Sequence, residues 1–283
     1  MTQSLEELKQ WIGSQETDVD YVTIPSVQRL AATLDRDDPP PKIGDPLPIG
    51  WHSIFFPRVV RESQIGPDGH PRRGDFLPPV PLPRRMFAGK RIAIHQPLQV
   101  GDEVRRVSTI KQVTPKVGRS GQMVFVTVQT DLSSPRGLAV SEEQDIVYRE
   151  EPDKNAPPPP PQPAPGTAVW GKVVTPDPVM LFRYSALTFN GHRIHYDHPY
   201  VTKVEGYPDL VMNGGLTTLL VFELARTNAR TPLRQIASRN VRPMFVNRPF
   251  TLCGEPAEDG KSAKLWVADD TGALALSATA EFR

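Results

Sequence analysis

Residues 210–222, LVMNGGLTTLLVF, contain no charged side chain, and the helical pattern continues past them to residue 229. Apolar residues cover nearly every face of a helix built from this stretch. A helix that is hydrophobic all round is a buried helix. The sequence therefore predicts a long buried helix over residues 213–229.

Strand-like segments with alternating apolar residues follow this helix. They are PMFVNRPFTLC (243–253), KLWVAD (264–269) and ALALSATAEFR (273–283), with the turn sequence DDTG between the last two. Alternating apolar positions and Gly or Asp turns are typical of antiparallel hairpins. A buried helix followed by antiparallel strands predicts a sheet wrapped around that helix, which is the hot-dog arrangement of the α+β class.

The first half of the chain carries a similar pattern. PLQVGDEV (97–104) leads into a strand as PMFVNRPF (243–250) does, and QMVFVTVQTDL (122–132) and GLAVSEEQDIVYR (137–149) follow. The two patterns are separated by PDKNAPPPPPQPAPG (152–166), and proline-rich stretches of this kind favour an extended polyproline II spacer. We therefore predict a first domain over residues 1–151, a linker over 152–166 and a second domain over 167–283.

The first domain has weaker helical patterns. Residues 26–34 predict a helix, and LPIGWHSIFF (47–56) is a candidate for a shortened counterpart of the buried helix. Residues 57–85 combine arginines and prolines without periodicity. They predict a solvated loop for most of their length, or a cover over a ligand with phosphates, for which Arg84 and Arg85 are the best candidates.

Three histidines lie close together in RYSALTFNGHRIHYD and the residue after it (183–198). His192, His195 and Asp197 are of the types that bind zinc, but the Asn-Gly turn upstream does not place them on one helical face. We therefore predict no metal. Taken alone, the segment would be a polar loop with surface histidines.

The same segment resembles the motif of the MaoC-like, R-specific enoyl-CoA hydratase family, Tyr-Ser-x-Leu-Thr-Gly-Asp-x-Asn-Pro-Ile-His. It matches at Tyr184, Ser185, Leu187, Thr188, Ile194 and His195. It departs at Phe189, at Asn190 in place of the catalytic Asp, and at His192 and Arg193 in place of Asn-Pro. These departures, with LPRRMFAG (82–89) and EGYP (205–208), are similar to the branch of mesaconyl-C4-CoA and itaconyl-CoA hydratases and mitochondrial 3-hydroxyacyl-thioester dehydratases.

This resemblance implies a double hot-dog fold, with two antiparallel sheets each wrapped around a central helix and a catalytically degenerate first half. It also implies a hydro-lyase acting on acyl-CoA. His195 is the expected acid and base, because imidazole titrates near neutrality. Asn190 cannot take a proton, but its carbonyl oxygen can orient the reacting water.

The beginning of the buried helix is the expected stabiliser of the enolate oxygen. Helix N-termini present free N–H groups and positive potential, and glycines allow close approach. The family has His-Gly at this place, so Asn213 takes the His position and Gly214 is expected to donate its N–H. The alternative is that the glycines only permit close packing of the helix on the sheet.

Arg193 bears on the choice of substrate. Its guanidinium could pair with a second carboxylate on the acyl group, or with Asp197 or Glu205 as a structural ion pair. We expect Arg193 to bind substrate together with Tyr184, His192, Asn213, Arg84 and Arg85.

Composition excludes several other classes of protein. The formal net charge is +1, which does not suggest a polyanion-binding protein. Cys253 is the only cysteine, so no disulfide forms within one chain. Neither a signal peptide nor a membrane span is visible in the pattern. We expect a cytoplasmic homodimer that uses no cofactor and binds neither nucleic acid nor membrane.

The function predicted on these grounds is reversible hydration of a short branched dicarboxylic enoyl-CoA, from itaconyl-CoA or mesaconyl-C4-CoA to citramalyl-CoA. Two alternatives remain at this point. One is dehydration of straight-chain 3-hydroxyacyl thioesters. The other, suggested by the missing Asp at position 190, is a non-catalytic acyl-CoA binding module.

Overall fold

The computed structural model describes residues 5–72, 76–118, 121–150 and 160–283, and within them ten strands form one antiparallel sheet. The strands are β1 (Gln15–Tyr21), β2 (Arg84–Ile94), β3 (Glu103–Gly118), β4 (Gly121–Ser134), β5 (Gly137–Arg149), β6 (Trp170–Val174), β7 (Leu233–Asn240), β8 (Phe250–Pro256), β9 (Ser262–Ala268) and β10 (Leu274–Phe282). The α-helices are α1 (Ile24–Thr33), α2 (Pro178–Leu187), α3 (His198–Lys203) and α4 (Gly214–Asn228). Short 3-10 helices cover Glu7–Trp11, Trp51–Ile54, Glu62–Gln64 and Arg193–His195.

The order of the strands is the same in both halves. Across the sheet it is β1-β3-β4-β5-β2 and then, in mirror order, β7-β10-β9-β8-β6. The halves join where β2 pairs with β7, so the two predicted sheets are two halves of one continuous sheet. The predicted α+β double hot-dog class is confirmed.

The repeated Pro-x-x-Val turn is the same structure in both halves. In the first half, the Val100 N–H donates to the Asp45 carbonyl, and in the second the Val246 N–H donates to the Leu210 carbonyl. The residue after each valine has a positive φ, 95° at Gly101 and 60° at Asn247. These matched bonds and angles support a duplication of one hot-dog unit.

The central helix differs between the halves. In the second half α4 runs for 15 residues, and all of its residues from Leu216 to Ala225 are buried. At the corresponding place the first half has Gly50 and one turn of 3-10 helix, Trp51–Ile54. Gly50 packs on α4, because a Cβ there would lie 2.7 Å from a ring carbon of Phe222. The long helix therefore contacts the corresponding segment of the first half, and one cluster of buried apolar residues includes side chains from both halves.

The predicted linker is described only from residue 160 onward, and residues 151–159 lie outside the described part. The described end is bonded to the second half of the chain: the Ala164 N–H donates to the Gly272 carbonyl, and the Leu274 N–H donates to the Gln162 carbonyl. This end of the predicted spacer is therefore anchored at the beginning of β10.

Candidate active site

A cavity of about 660 Å³ lies between β2 of the first half and the beginning of α4. Its volume is in the usual range for sites that bind small molecules. Both halves of the chain line it, and it contains all but one of the residues that the sequence predicted for the site. The exception is Arg193.

His195 lies at the wall of this cavity, in the short helix Arg193–His195, and is 7% exposed. Its Nδ1 is 2.7 Å from the Val211 carbonyl oxygen. A carbonyl only accepts, so Nδ1 carries the proton and Nε2 has the free lone pair. Burial lowers the pKa of His195 to about 4. At neutral pH the ring is therefore neutral and able to accept a proton from water.

The N-terminus of α4 faces the same cavity through Gly214 and Gly215. Asn213 occupies the N-cap position, but its side chain does not cap the helix; its Nδ2 donates to the Ser185 Oγ over 3.2 Å. The first N–H groups of α4 are therefore left for a ligand, at the positive end of the helix dipole. This geometry suits an oxyanion hole, and it supports the role predicted for Gly214.

Tyr184 closes the cavity against this helix end. A Cβ at position 215 would lie 2.7 Å from the Tyr184 hydroxyl oxygen, so the close approach requires glycine. Burial raises the pKa of Tyr184 to about 12, and its hydroxyl is hydrogen-bonded to the side chain of Ser53. Tyr184 is thus a neutral hydrogen-bonding group beside the expected oxyanion position.

A buried ion pair on the first half faces the same end of the cavity. The Lys90 Nζ, which lines the cavity, is 2.9 Å from the Glu142 Oε1, and the His52 Nε2 is 3.0 Å from the other oxygen of Glu142. Burial alone would raise the pKa of Glu142, but Lys90 and His52 lower it to about 2. The sequence analysis missed Lys90, although it directly follows the family-like segment LPRRMFAG.

The turn that leads to His195 is held by Asn190. The Asn190 Oδ1 accepts a hydrogen bond from the His192 N–H over 3.1 Å. The oxygen keeps a second lone pair, so the predicted contact with water is compatible with this bond. Burial, with the nearby His70 and His195, lowers the pKa of His192 to about 2, so this ring is neutral as well.

Two residues that the sequence analysis did not select, Asp68 and His70, also line the cavity. They come from the loop 57–85, which was predicted to be mostly solvated. The Asp68 Oδ2 is 3.1 Å from the His70 Nδ1, and the ring centroids of His70 and His192 are 4.0 Å apart. The turn sequence GPDGH (66–70) was the available indication that this part of the loop is ordered.

Metal binding was predicted to be absent, and the set considered was His192, His195 and Asp197. The structure does not bring this set together, because Asp197 is bonded to Arg193 and to the Tyr200 N–H. Among the described residues, a different group has donor atoms within 4.8 Å of one another: Asp68, His70 and His192. Asp68 and His70 are hydrogen-bonded to each other, so a cation would first have to break that bond.

The prediction that Arg193 binds substrate does not agree with its position. Its Nε and Nη2 donate to the Asp197 Oδ2 over 2.9 and 2.7 Å, and its Nη1 donates to the Pro67 carbonyl over 2.9 Å. The guanidinium also stacks on Tyr200, 4.1 Å from the ring centroid. Three of its five N–H groups are used by these contacts, which favours the structural ion pair that was the alternative.

Arg84 and Arg85 both line the cavity. The guanidinium of Arg84 lies 3.6 Å from the Glu205 carboxylate and over the Tyr207 ring. Arg85 is exposed, and its charge contributes to the low pKa of His192. Their placement on the cavity wall is compatible with the predicted contact to the phosphates of a CoA ester.

Comparison with known proteins shows relatives along most of the chain. Residues 50–246 match the family model Htd2, hydroxyacyl-thioester dehydratase type 2. The mesaconyl-C(4)-CoA hydratase of Chloroflexus aurantiacus is 44% identical over 271 residues, which cover 96% of each chain. The mitochondrial hydroxyacyl-thioester dehydratase type 2 of Schizosaccharomyces pombe is 26% identical, over 88% of this chain and 91% of that protein.

The fold is shared with solved structures at low sequence identity. A MaoC-like dehydratase from Phytophthora capsici superposes with a TM-score of 0.68 at 12% identity, covering 99% of this chain and 98% of that one. Among the described residues, no helix has the length and apolar character needed to cross a membrane.

Proposed function

Since the chain belongs to the hydroxyacyl-thioester dehydratase type 2 family and is an enzyme of the hydratase/dehydratase class, we propose that it hydrates mesaconyl-C4-CoA to citramalyl-CoA. The observation that carries the proposal is the joint placement of His195 and the free N-terminus of α4 on one cavity. The nearly full-length likeness to the Chloroflexus hydratase supports the choice of acyl group.

The chemistry follows from these two groups. The His195 Nε2 accepts a proton from water as the water oxygen bonds to the methyl-bearing carbon. The electrons of the double bond move onto the thioester oxygen, where the Gly214 N–H and the helix dipole stabilise the enolate. Protonation of the carbon next to the thioester completes the addition. Asn190 orients the water through its carbonyl oxygen.

A dicarboxylic acyl group needs a cation near its far end, and Lys90 fits this role better than Arg193. Its ammonium lies on the cavity wall 5.9 Å from the centroid of the Phe87 ring, and Phe87 packs beside Gly214. The Ser53 and Tyr184 hydroxyls are on the same part of the wall. One bond to Glu142 leaves Lys90 with further N–H donors for a carboxylate.

One observation favours straight-chain 3-hydroxyacyl thioesters as the second candidate. Apolar residues line much of the cavity, among them Leu219 and Phe222 of α4 and Ile146 and Val147 of β5. A fatty chain would bury its apolar surface against them.

The homodimer and the cytoplasmic location stay predictions. One chain supplies both walls of the cavity, so a dimer is not needed to complete it.

Substrate choice is tested by kcat/KM on mesaconyl-C4-CoA, itaconyl-CoA and crotonyl-CoA. We expect mesaconyl-C4-CoA to be the best substrate. Lys90→Met should lower kcat/KM for mesaconyl-C4-CoA by roughly ten- to two-hundred-fold, the effect of losing a charged hydrogen bond of about 1.5–3 kcal/mol. The kcat/KM for crotonyl-CoA should change only about a few-fold.

Arg91→Met is the matched control, since Arg91 is the next residue of β2 and pairs with Glu143 and Asp145. The double variant Lys90→Met/Glu142→Gln avoids a buried, half-paired carboxylate if the single variant folds poorly. Crotonyl-CoA as the best wild-type substrate would support the straight-chain candidate. Equal losses on both substrates would contradict the role of Lys90.

A further inference from the structure

The hydratase motif of this chain lacks its proton-carrying carboxylate, since position 190 is Asn. Hydration nevertheless moves two protons: one leaves water and one reaches the carbon next to the thioester. His195 accounts for the first. The neighbouring His192 is half-buried and neutral, so it is a poor donor for the second. A further acid is therefore expected at the cavity.

The loop from the first half places a histidine–carboxylate pair at this point. The Asp68 Oδ2 is 3.1 Å from the His70 Nδ1, and the Asp68 Oδ1 accepts from the His70 N–H over 3.0 Å. With Nδ1 on the carboxylate, the remaining nitrogen of His70 is its Nε2. A carboxylate on one ring nitrogen stabilises the imidazolium form and fixes the orientation of the ring.

Three histidine rings connect this pair to the base. The centroids of His70 and His192 are 4.0 Å apart, and those of His192 and His195 are 5.4 Å apart. Asp68, His70, His192 and His195 all line the cavity. The pair is thus in the same chamber as the reacting carbons, next to the motif turn that has lost its carboxylate.

The loop is held against that turn by contacts that fit closely. Gly69 has a φ of 88°, and a Cβ there would lie 1.8 Å from the Gly191 carbonyl oxygen. The Arg193 N–H donates to the Asp68 carbonyl, and the Arg193 Nη1 donates to the Pro67 carbonyl. The place of Asp68 and His70 is therefore set by the motif segment itself. Arg193 is a positioning residue for them.

We propose that His70, paired with Asp68, is the second proton-transfer residue of the hydration and takes the place of the carboxylate absent at Asn190. As the enolate collapses, the N–H bond of the His70 imidazolium breaks and the proton bonds to the carbon next to the thioester. His195 has meanwhile taken one proton from water. Transfer of this proton from His195 to His70, through His192 or solvent, restores both residues.

This inference rests on the proposed hydration but not on the identity of the acyl group. Asp68, His192 and His195 interact with His70, Asp68 through a hydrogen bond, and Arg85 acts on the neighbouring His192. Rates are therefore compared on whichever of the three thioesters the wild-type chain hydrates fastest.

The test is a rescue experiment. His70→Gln should lower kcat by about 10²–10⁴-fold, the range for loss of a general acid or base, with a much smaller effect on KM. Adding Asn190→Asp in the His70→Gln background should restore a large part of the lost rate, because it returns a proton carrier to the motif position. His198→Gln is the control, since His198 is exposed and belongs to the same segment.

A second measurement needs no turnover. The NMR spectrum of the His70 ring should show a hydrogen-bonded Nδ1–H in the wild-type chain, and this signal should be lost in Asp68→Ala. Wild-type turnover by His70→Gln, a failure of Asn190→Asp to raise its rate, or an unchanged His70 Nδ1–H signal in Asp68→Ala would overturn the proposal. So would turnover that chelators abolish and a divalent metal restores, because the cluster would then be a metal site. If the wild-type chain hydrates none of the three thioesters, the proposed function is contradicted instead.

Discussion

Where the second half of the chain begins the 15-residue helix α4 with Gly214 and Gly215, the first half has Gly50 and a single turn, Trp51–Ile54. The strand order around these two segments is the same. The second half thus keeps the long helix whose N-terminus can stabilise an oxyanion. The first half lacks that helix, and its side of the cavity is lined by strands β2, β4 and β5, by the Gly50 segment and by a long loop.

The first half, predicted to be catalytically degenerate, still contributes side chains to the cavity. It lacks the hydratase motif, yet it brings Lys90 on β2 and Asp68 and His70 on the loop into the cavity. A duplicated unit can lose its own site when the other copy retains one. Its side chains can then serve the retained site as substrate-binding and proton-transfer groups.

The largest effect is expected from the second half, at His195. His195→Gln should lower kcat/KM by about 10²–10⁴-fold, because the base is lost. The protein should still fold, since the Gln amide can donate to the Val211 carbonyl in place of Nδ1. Rates and circular dichroism spectra of the variant check both points. Near wild-type turnover would move the chemistry to another residue, with His192 the next candidate.

The pH profile tests the same residue in the unmodified protein. Burial lowers the pKa of His195 to about 4, so its base form persists well below the ordinary histidine value of about 6.5. The acidic limb of kcat/KM should fall through about pH 4, measured over the range in which the chain stays folded. A limb centred near pH 6.5 would show that the base is a more exposed group.

The next prediction distinguishes the Gly214 N–H, as the expected oxyanion donor, from the structural role of α4. Proline is tolerated at the first position of a helix but has no N–H, so Gly214→Pro removes only the expected oxyanion donor. Gly214→Ala is the matched control, because its Cβ would be at an ordinary distance of 3.5 Å from Phe87. We expect Pro to reduce kcat by about 10²–10³-fold relative to Ala. Equal rates for the two variants would leave the glycines with a packing role alone.

Asn190 should give a smaller effect. Asn190→Asp should retain substantial activity, because an aspartate oxygen can still accept from the His192 N–H and orient water. Asn190→Ala should lose much of the activity, though less than His195→Gln. If the alanine variant matches the wild-type rate, Asn190 does not take part in the reaction.

The smallest effect on rate is expected at Arg193, and it should not depend on substrate. Arg193→Met breaks the pair with Asp197 and frees the loop at Pro67, so mesaconyl-C4-CoA and crotonyl-CoA should lose rate alike. The midpoint of thermal unfolding should fall slightly, because the ion pair and the bond to the loop are lost. Arg183→Met, at an exposed position on α2, is the control. A loss confined to mesaconyl-C4-CoA would restore Arg193 as the carboxylate-binding residue.

The central part of the fold could be predicted because it is encoded locally. The uncharged run at residues 210–222 predicted a buried helix over 213–229, and α4 covers Gly214–Asn228. The helix predicted over residues 26–34 is α1, which begins two residues earlier at Ile24. Four of the predicted site residues lie within the motif segment, so their closeness in sequence brings them to one cavity: Tyr184, Asn190, His192 and His195.

The contribution of the loop could not be predicted in the same way. Its order depends on contacts between residues far apart in sequence, such as Gly69 on Gly191 and Arg193 on Pro67. Such contacts leave no periodic pattern in the sequence. The orientation of Arg193 was undecided for the same reason: both a substrate and Asp197 offer a carboxylate, and only the fold brings one of them near.

The most direct measurement of the central claim is the reaction of mesaconyl-C4-CoA in D2O, followed by NMR and mass spectrometry. In the first turnovers, we expect a product with one deuterium on the carbon next to the thioester and a hydroxyl on the methyl-bearing carbon. The His195→Gln variant should form it at least about a hundredfold more slowly. Two results would contradict the account: the wild-type protein binds mesaconyl-C4-CoA but leaves it unchanged, or it hydrolyses the thioester and releases free CoA.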